Sequence, residues 1–379
     1  MAIFKKYWKI IIIVFFAIAL AVAGYSVKKY FDAKKGDQAV SPEKTANNGS
    51  SSTTLDIAGQ KTVISLKRVS DQPVFDFFST NTSTKEIIYI TPAGEIYRAD
   101  EKEDLVLSKQ AFKALNRAIL SPNHQKIMAS FGDPSQPQWL IFDLIDKAWR
   151  PLPNTIKQAV WGNDDNELIA IIQENNLKDL VKIKINQNSF VNDVLWRNFS
   201  FQDVDLIFVP PQKILITEKS AFFYEGRTWE IDLKNTELNL VFGPAKGLSL
   251  RQTADRSLIL KFDNNNYLSI VGSNKTTSYE TLPEKCENYN RSIYCFLPIS
   301  WPKENNWPDE YLQKESYTED HLFLFNDEGY KIIELNNNEK IDGLKPTITG
   351  DFLYFLNRRN NNLYQLGPLN QVKTTPFNY

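Results

Sequence analysis

The sequence predicts an all-β chain, a seven-bladed β-propeller preceded by one N-terminal transmembrane helix, with six or eight blades as the neighbouring counts. Three observations carry this. A hairpin signal recurs about every 40 residues along the later part of the chain, the period of radially repeated sheet units rather than of one compact core. An uninterrupted apolar run, Ile10 to Val27, follows a lysine-rich start. Aromatic residues make up 13% of the chain while only 2 of its 379 residues are Met, which suits pleated strands better than helices.

Taken in order, residues 1–9 form a lysine-rich cytoplasmic start and residues 10–27 the membrane span. As a helix this run is roughly 27 Å long at about 1.5 Å per residue, close to a hydrocarbon core of about 30 Å. Trp8, Tyr25 and Tyr30 would sit at the two interfaces, and the lipid bilayer is the partner of Ile10 to Val27. Lys5, Lys6 and Lys9 precede the run and Lys28, Lys29, Lys34 and Lys35 follow it, so flanking charge does not decide orientation. Ala21-Val22-Ala23 also has the small-x-small form of a signal-peptide cleavage site. Both readings export the rest of the chain; a third leaves the propeller in the cytoplasm. Residues 28–60, rich in Ser, Asn, Thr and Gly from Gly36 onward, read as a flexible linker because they bury too little to offset chain entropy.

Residues 61–379 carry the repeat. Its markers, the first apolar residues of successive strands, are Ile87, Ile127, Leu168, Ile214, Leu258, Ile293 and Phe352. Each is followed by a polar turn and a second strand, as in Lys182-Ile183-Lys184-Ile185, whose alternation gives a strand two unlike faces. Seven markers mean seven blades, with the unit from Cys286 to Leu335 long enough to conceal a second. Residues 61–70 read as a strand ahead of the first unit, and the last unit lacks a fourth strand of its own. The first strand is therefore expected to complete the last blade, which removes an exposed edge.

Leu120-Ser-Pro-Asn-His-Gln-Lys-Ile127 resembles the S-P-D-G-K-x-I turn of TolB-like, WD-repeat-like propellers. Trp161 to Ile169 is a longer copy without the proline, and Thr253 to Leu258 and Glu287 to Ile293 are degenerate ones. The resemblance spans roughly residues 70–370 and implies the propeller fold. Such propellers serve as binding platforms, as scaffolds and as the non-catalytic part of peptidases.

Charge and motifs narrow the function. The chain has 44 basic and 45 acidic residues, but seven of the lysines and only one aspartate lie in residues 1–35, which leaves the propeller mildly acidic. That argues against nucleic acid, whose phosphates need a basic stripe. With only His124 and His321, no multi-histidine metal site can form, and the chain has no G-x-S-x-G elbow, dinucleotide fingerprint or phosphate loop. No cofactor, metal or catalytic residue is assigned, and the chain is expected not to be an enzyme. The alternative is an envelope hydrolase acting on saccharide or peptide through carboxylates at the channel mouth.

Two constellations remain. Cys286 and Cys295 lie symmetrically about Asn290-Arg291, so a hairpin turning there would oppose them, as a disulfide in an exported domain or as buried thiols in the cytoplasm. The insertion Pro298 to Asp320 separates two strands that a short turn joins in most other blades. Its Trp301, Trp307, Tyr311 and Tyr317 are expected either to anchor a protein or saccharide partner or to fold down over the channel. The expectation is a single-pass, extracytoplasmic propeller that binds a protein or ligand as a scaffold at the cell envelope. High Lys and Asn usage points to a bacterium. A purely structural envelope role would leave the insertion dispensable.

Overall fold

Each repeat folds into its own antiparallel sheet, with a second strand buried on both faces, as at Ile87–Ile90, and seven such sheets surround a central channel. The computed structural model describes residues 51–369 apart from 58–59, 81–85, 101, 187–188, 264–266, 273–279, 291, 301–305, 327–328, 334 and 336–338. The chain opens with β1 (Ser51–Ile57) and β2 (Gln60–Arg68), which belong to the last sheet. Blade one is β3 (Asp76–Ser79), β4 (Ile87–Ile90), β5 (Ile96–Arg98) and β6 (Leu105–Ser108). Blade two is β7 (Leu115–Leu120), β8 (Lys126–Phe131), β9 (Gln138–Asp143) and β10 (Ala148–Pro151). Blade three is β11 (Ile156–Trp161), β12 (Glu167–Glu174), β13 (Leu177–Ile185) and β14 (Phe190–Trp196). Blade four is β15 (Val204–Val209), β16 (Lys213–Glu218), β17 (Glu225–Asp232) and β18 (Leu238–Lys246). Blade five is β19 (Ser249–Gln252), β20 (Ile259–Phe262) and β21 (Ser269–Ile270). Blade six is β22 (Cys286–Tyr289), β23 (Ser292–Pro298), β24 (Asp320–Asn326) and β25 (Gly329–Ile333). Blade seven is β26 (Gly343–Thr349), β27 (Phe352–Asn357) and β28 (Asn362–Gly367), extended outward by β2 and β1.

Each sequence marker falls in the second strand of a blade, or one residue ahead of it at Leu258. The count of seven holds, and Cys286 to Leu335 is one blade rather than two. Closure runs as expected: β2 pairs antiparallel with β28, with Leu66 opposite Leu366. The Val69 amide then donates to Leu363 O at 2.9 Å. The linker reading of residues 28–60 gives way at Ser51, because 51–57 pair along their whole length with β2. Residues 28–50 and the span Ile10 to Val27 lie outside the described residues, among which no helix is long and apolar enough to cross a membrane.

The apolar interior is divided between neighbouring sheets. Met128, Trp139 and Ile141 of blade two pack with Trp161, Leu168 and Ile183 of blade three. Ile169 and Leu180 of blade three pack with Leu206 and Ile214 of blade four. Tyr89 of blade one packs with Leu356 and Leu363 of blade seven, so the ring closes through its core as well as through β2. Burying apolar faces against a neighbour on each side is what fixes every innermost strand along the channel wall.

Candidate functional site

The innermost strands β3, β7, β11, β15, β19 and β26, and the 3-10 turn Pro283–Lys285 just ahead of β22, each carry a polar residue at a comparable position, together a polar ring. Its members are Asp76, Arg117, Gln158, Asp205, Arg251, Glu284 and Lys345, one from each blade. Several of them contact residues of other blades. Arg117 Nη1 of blade two reaches Asp205 Oδ1 of blade four at 3.3 Å, and Gln158 Nε2 of blade three donates to the same oxygen at 3.1 Å. Lys345 Nζ of blade seven lies 2.5 Å from Asp76 Oδ2 of blade one. Arg251 Nη2 of blade five holds Glu287 Oε2 of blade six at 3.1 Å, and its Nη1 donates to Cys286 O and, at 3.2 Å, to Pro283 O.

Backbone irregularities aim several of these side chains. The register slips between Leu115 and Arg117 on β7, between Ile156 and Gln158 on β11, and between Leu344 and Thr347 on β26. Lys345, inside the last of these, sits at φ +51°, a conformation that costs a non-glycine residue energy. Such bulges re-aim a side chain at the edge of a site.

The ring is unevenly satisfied. Arg117, Asp205 and Lys345 keep 35%, 51% and 36% of their side-chain surface exposed. Glu284 is the opposite case. Ser249 Oγ approaches its Oε1 at 3.5 Å, while its Oε2 is fully buried with no hydrogen-bond partner among the described residues. Burial pushes this carboxyl above its ordinary value, against the pull of Arg251 and Lys345. At the far end of the channel Arg256 Nη1, in the first turn of blade five, donates to Gly162 O of blade three at 2.9 Å and bridges that opening.

The other face bears the connections between blades and the insertion of blade six. There α1 (Asp309–Leu312), a single helical turn, accepts the Phe222 amide on Asp309 Oδ1 at 2.8 Å. This seats the 219–224 turn of blade four against the insertion and turns its aromatic tip outward: Phe223 is 62% and Tyr224 77% exposed.

The insertion aromatics do not stand out as a group. Trp307 and Tyr311 are buried, stacked at 4.6 Å and packed with Phe262 and Leu282. Tyr317 is partly exposed beside the Arg358 and Arg359 guanidinium groups, and Trp301 lies outside the described residues. Two of the four expected anchors thus face inward, and the reason is a buried ionic cluster at the foot of the insertion. Lys285 Nζ contacts Asp320 Oδ2 at 2.6 Å, Asp342 Oδ1 at 2.7 Å and Thr318 Oγ1 at 2.8 Å, and Tyr311 Oη donates to Asp342 Oδ1 at 2.7 Å. Burial raises Asp320; at Asp342 burial pushes the same way, but the Lys285 ammonium and hydrogen bonds from Tyr311 and Thr318 bring it below its ordinary value. Lys285 in turn is set by its neighbour Cys286, which lies directly opposite Cys295 with Cα atoms 4.1 Å apart and the sulfurs bonded.

His124 Nδ1 lies 2.7 Å from Ser79 O and ties blade two to blade one. No group of His, Cys, Asp and Glu suited to a metal ion occurs among the described residues.

No family model and no curated protein matches the chain. Solved structures do. An oligogalacturonate lyase in complex with manganese matches at a TM-score of 0.51 and 13% identity, over 84% of this chain and 96% of that one. An oligogalacturonate lyase from Vibrio parahaemolyticus matches at 0.53 and 10% identity over the same shares. TolB from Acinetobacter baumannii matches at 0.36 and 10% identity over 76% of this chain and 62% of its own. At these identities the likeness is one of fold alone. It nevertheless corrects one expectation. The two lyases are enzymes built on this frame, so the expectation that the chain is not an enzyme does not stand.

Proposed function

We propose that the chain is a membrane-tethered propeller, held outside the cytoplasm, whose loop-bearing face binds a protein partner at the cell envelope. The observation that carries this is the aromatic tip Phe222-Phe223-Tyr224, fixed on α1 through Asp309 yet open to solvent. Rigid aromatic side chains presented by a braced turn are the usual anchors of protein interfaces. The tether is supported by the apolar run Ile10 to Val27, and export by the bonded Cys286 and Cys295. The test is affinity capture from detergent-solubilised envelope with the full chain and with Phe223→Ser/Tyr224→Ser. A partner held by the first and lost by the second, at an unchanged unfolding midpoint, supports the reading; equal capture by both sinks it.

A second reading, an enzyme acting on saccharide through channel carboxylates, is supported by Glu284, a desolvated carboxyl beside two cations. Oligogalacturonate, the substrate in the names of the two lyases, is the first compound to assay. Turnover by the full chain that Glu284→Gln abolishes would favour this reading, and an inert wild-type chain would remove it.

A further inference from the structure

The buried cluster at the foot of the insertion holds an amine and two carboxyls in direct contact. Lys285 and Asp320 keep at most 1% of their side-chain surface exposed, and Lys285 Nζ lies 2.6 Å from Asp320 Oδ2. Asp342 Oδ1 reaches the same nitrogen at 2.7 Å. The two carboxyls are held differently. Asp342 Oδ1 also accepts from Tyr311 Oη and Thr318 Oγ1, and its Oδ2 takes the Thr318 amide and Arg358 Nη1. Asp320 Oδ2 accepts the Gly343 amide besides Lys285, while its Oδ1 is buried with no hydrogen-bond partner among the described residues. Burial favours the neutral form of Asp320; at Asp342 burial is outweighed by the Lys285 ammonium and by hydrogen bonds, which keep it ionised. Surroundings that push two carboxyls apart assign one as acid and the other as base.

We propose that Lys285 and Asp320 join as an intramolecular amide, a cross-link the chain makes by itself with Asp342 as the base. This goes beyond both readings of the function and rests on neither. A proton passes from the Lys285 ammonium to Asp320 across their contact, leaving a neutral amine beside a neutral acid. The Nζ lone pair then attacks Cγ of Asp320, and the N–C bond forms. Asp342 takes a proton from that nitrogen and returns it to the departing hydroxyl as the C–O bond breaks. One ammonium and one carboxylate become one amide and one water; nothing is oxidised or reduced, and Asp342 ends as it began. Asp320 is the partner because both oxygens of Asp342 are held, whereas Oδ1 of Asp320 is not. An amine held in contact with its target reacts as if present at about 10⁵–10⁸ M, which offsets the preference of free amines and acids for hydrolysis in water. Burial drives the step further, since the product exchanges two desolvated charges for a neutral amide and leaves Asp342 beside Arg358. The bond ties the turn ahead of β22 to the start of β24 and closes residues 285–320, insertion included, into a ring.

The experiment is mass spectrometry of a tryptic digest of the full chain, purified in detergent and digested after the disulfide has been reduced and alkylated. Trypsin does not cut at an acylated lysine. The expected species is therefore a branched peptide joining residues 276–291 to residues 315–331, one water lighter than the two together. Lys285→Arg should abolish it, and Asp342→Asn should lower its yield at least tenfold. Wild-type chain that gives only the separate peptides 276–285 and 315–331 would overturn the proposal. A branch onto residues 341–358 would overturn the choice of Asp320, and an undiminished yield from Asp342→Asn would overturn the part given to that carboxylate. The wild-type digest decides the cross-link by itself, so a variant that fails to fold leaves the proposal as open to refutation as before.

Discussion

Arg117 and Asp205 meet at 3.3 Å across the channel although 88 residues and an entire blade separate them. The contact places β7 and β15 around a common axis, and Gln158 of the intervening blade reaches the same carboxylate. Both ions are partly exposed, so water competes for them and the pair stabilises the fold little. Asp205→Asn is expected to lower stability by no more than about 1 kcal/mol. A urea midpoint with unchanged slope checks this. A loss several times larger would mean that the bridge, rather than the packing between sheets, holds blades two and four in place.

The cluster at the foot of the insertion behaves differently because no water reaches it. Lys285, Asp320 and Asp342 keep at most 1% of their side-chain surface exposed. Lys285→Met would leave two carboxylates in the interior with no ammonium between them. Removing one partner of a buried ion pair costs about 3–5 kcal/mol. Guanidinium unfolding is expected to show a loss of that size, with Trp307 fluorescence changing first as the insertion lifts. A variant within about 1 kcal/mol of wild type would show that Arg358, whose Nη1 lies 3.4 Å from Asp342 Oδ2, suffices alone.

How much of this was legible in the sequence depended on whether the determining contact was local. Alternation at Lys182 to Ile185 and the turn after Leu120 give the blades, because strand faces and turns are set by adjacent residues. β1 was hidden: Ser51-Ser-Thr-Thr has a linker's composition and becomes a strand by pairing with β2. The direction of Trp307 and Tyr311 was equally hidden, since aromatics suit either side of a surface, and the choice falls to Lys285 and Asp342, 57 residues apart. The ring has a sequence signal of its own. Its members stand seven to eleven residues ahead of the seven markers, from Asp76 before Ile87 to Lys345 before Phe352. The residue types differ from blade to blade, so a search for a repeated motif misses them, whereas aligning the units on their hairpins finds a polar residue at the same place in each.

Burial of Glu284 has a consequence for pH. Its folded-state value lies above the ordinary 4.5, burial being the main cause, so the fold favours the protonated form. That preference is fully present below the unfolded value and is lost as pH rises through the folded value. Glu284→Gln removes the ionisable group while keeping its shape. The variant is expected to match wild type near pH 4 and to exceed it in thermal midpoint at pH 8, the gap growing above about 4.5 and then levelling off. Midpoints that run parallel at all pH values would place this carboxyl in water instead.

The bonded pair Cys286 and Cys295 closes a short hairpin, and the loss of such a cross-link costs about 2–3 kcal/mol by chain entropy. Cys286→Ala/Cys295→Ala is expected to lose stability on that scale. A second measurement bears on location. Protein denatured from its native source and treated with an alkylating reagent should take up no label until a reductant is added. Labelling without reductant would put the two thiols in a reducing compartment and remove the support for export.

Gly343 begins β26 directly beneath Phe296 of blade six. A Cβ built there would lie 2.4 Å from the Phe296 ring, closer than any side chain tolerates. The ring has little room to withdraw: Phe296 is fully buried and packs on Phe355 at 4.8 Å, within the core that joins blades six and seven. The backbone of Gly343 is committed as well, since its amide donates to Asp320 Oδ2 at 2.8 Å. Gly343→Ala therefore forces either the ring off its packing or the strand off the ion cluster. Overpacking of this kind costs about 1–3 kcal/mol. The expected result is a lower unfolding midpoint that Phe296→Leu in the same chain partly restores. The double variant separates crowding from backbone preference: a strand that needed glycine for its own conformation would stay destabilised with leucine at 296, whereas a crowded one recovers.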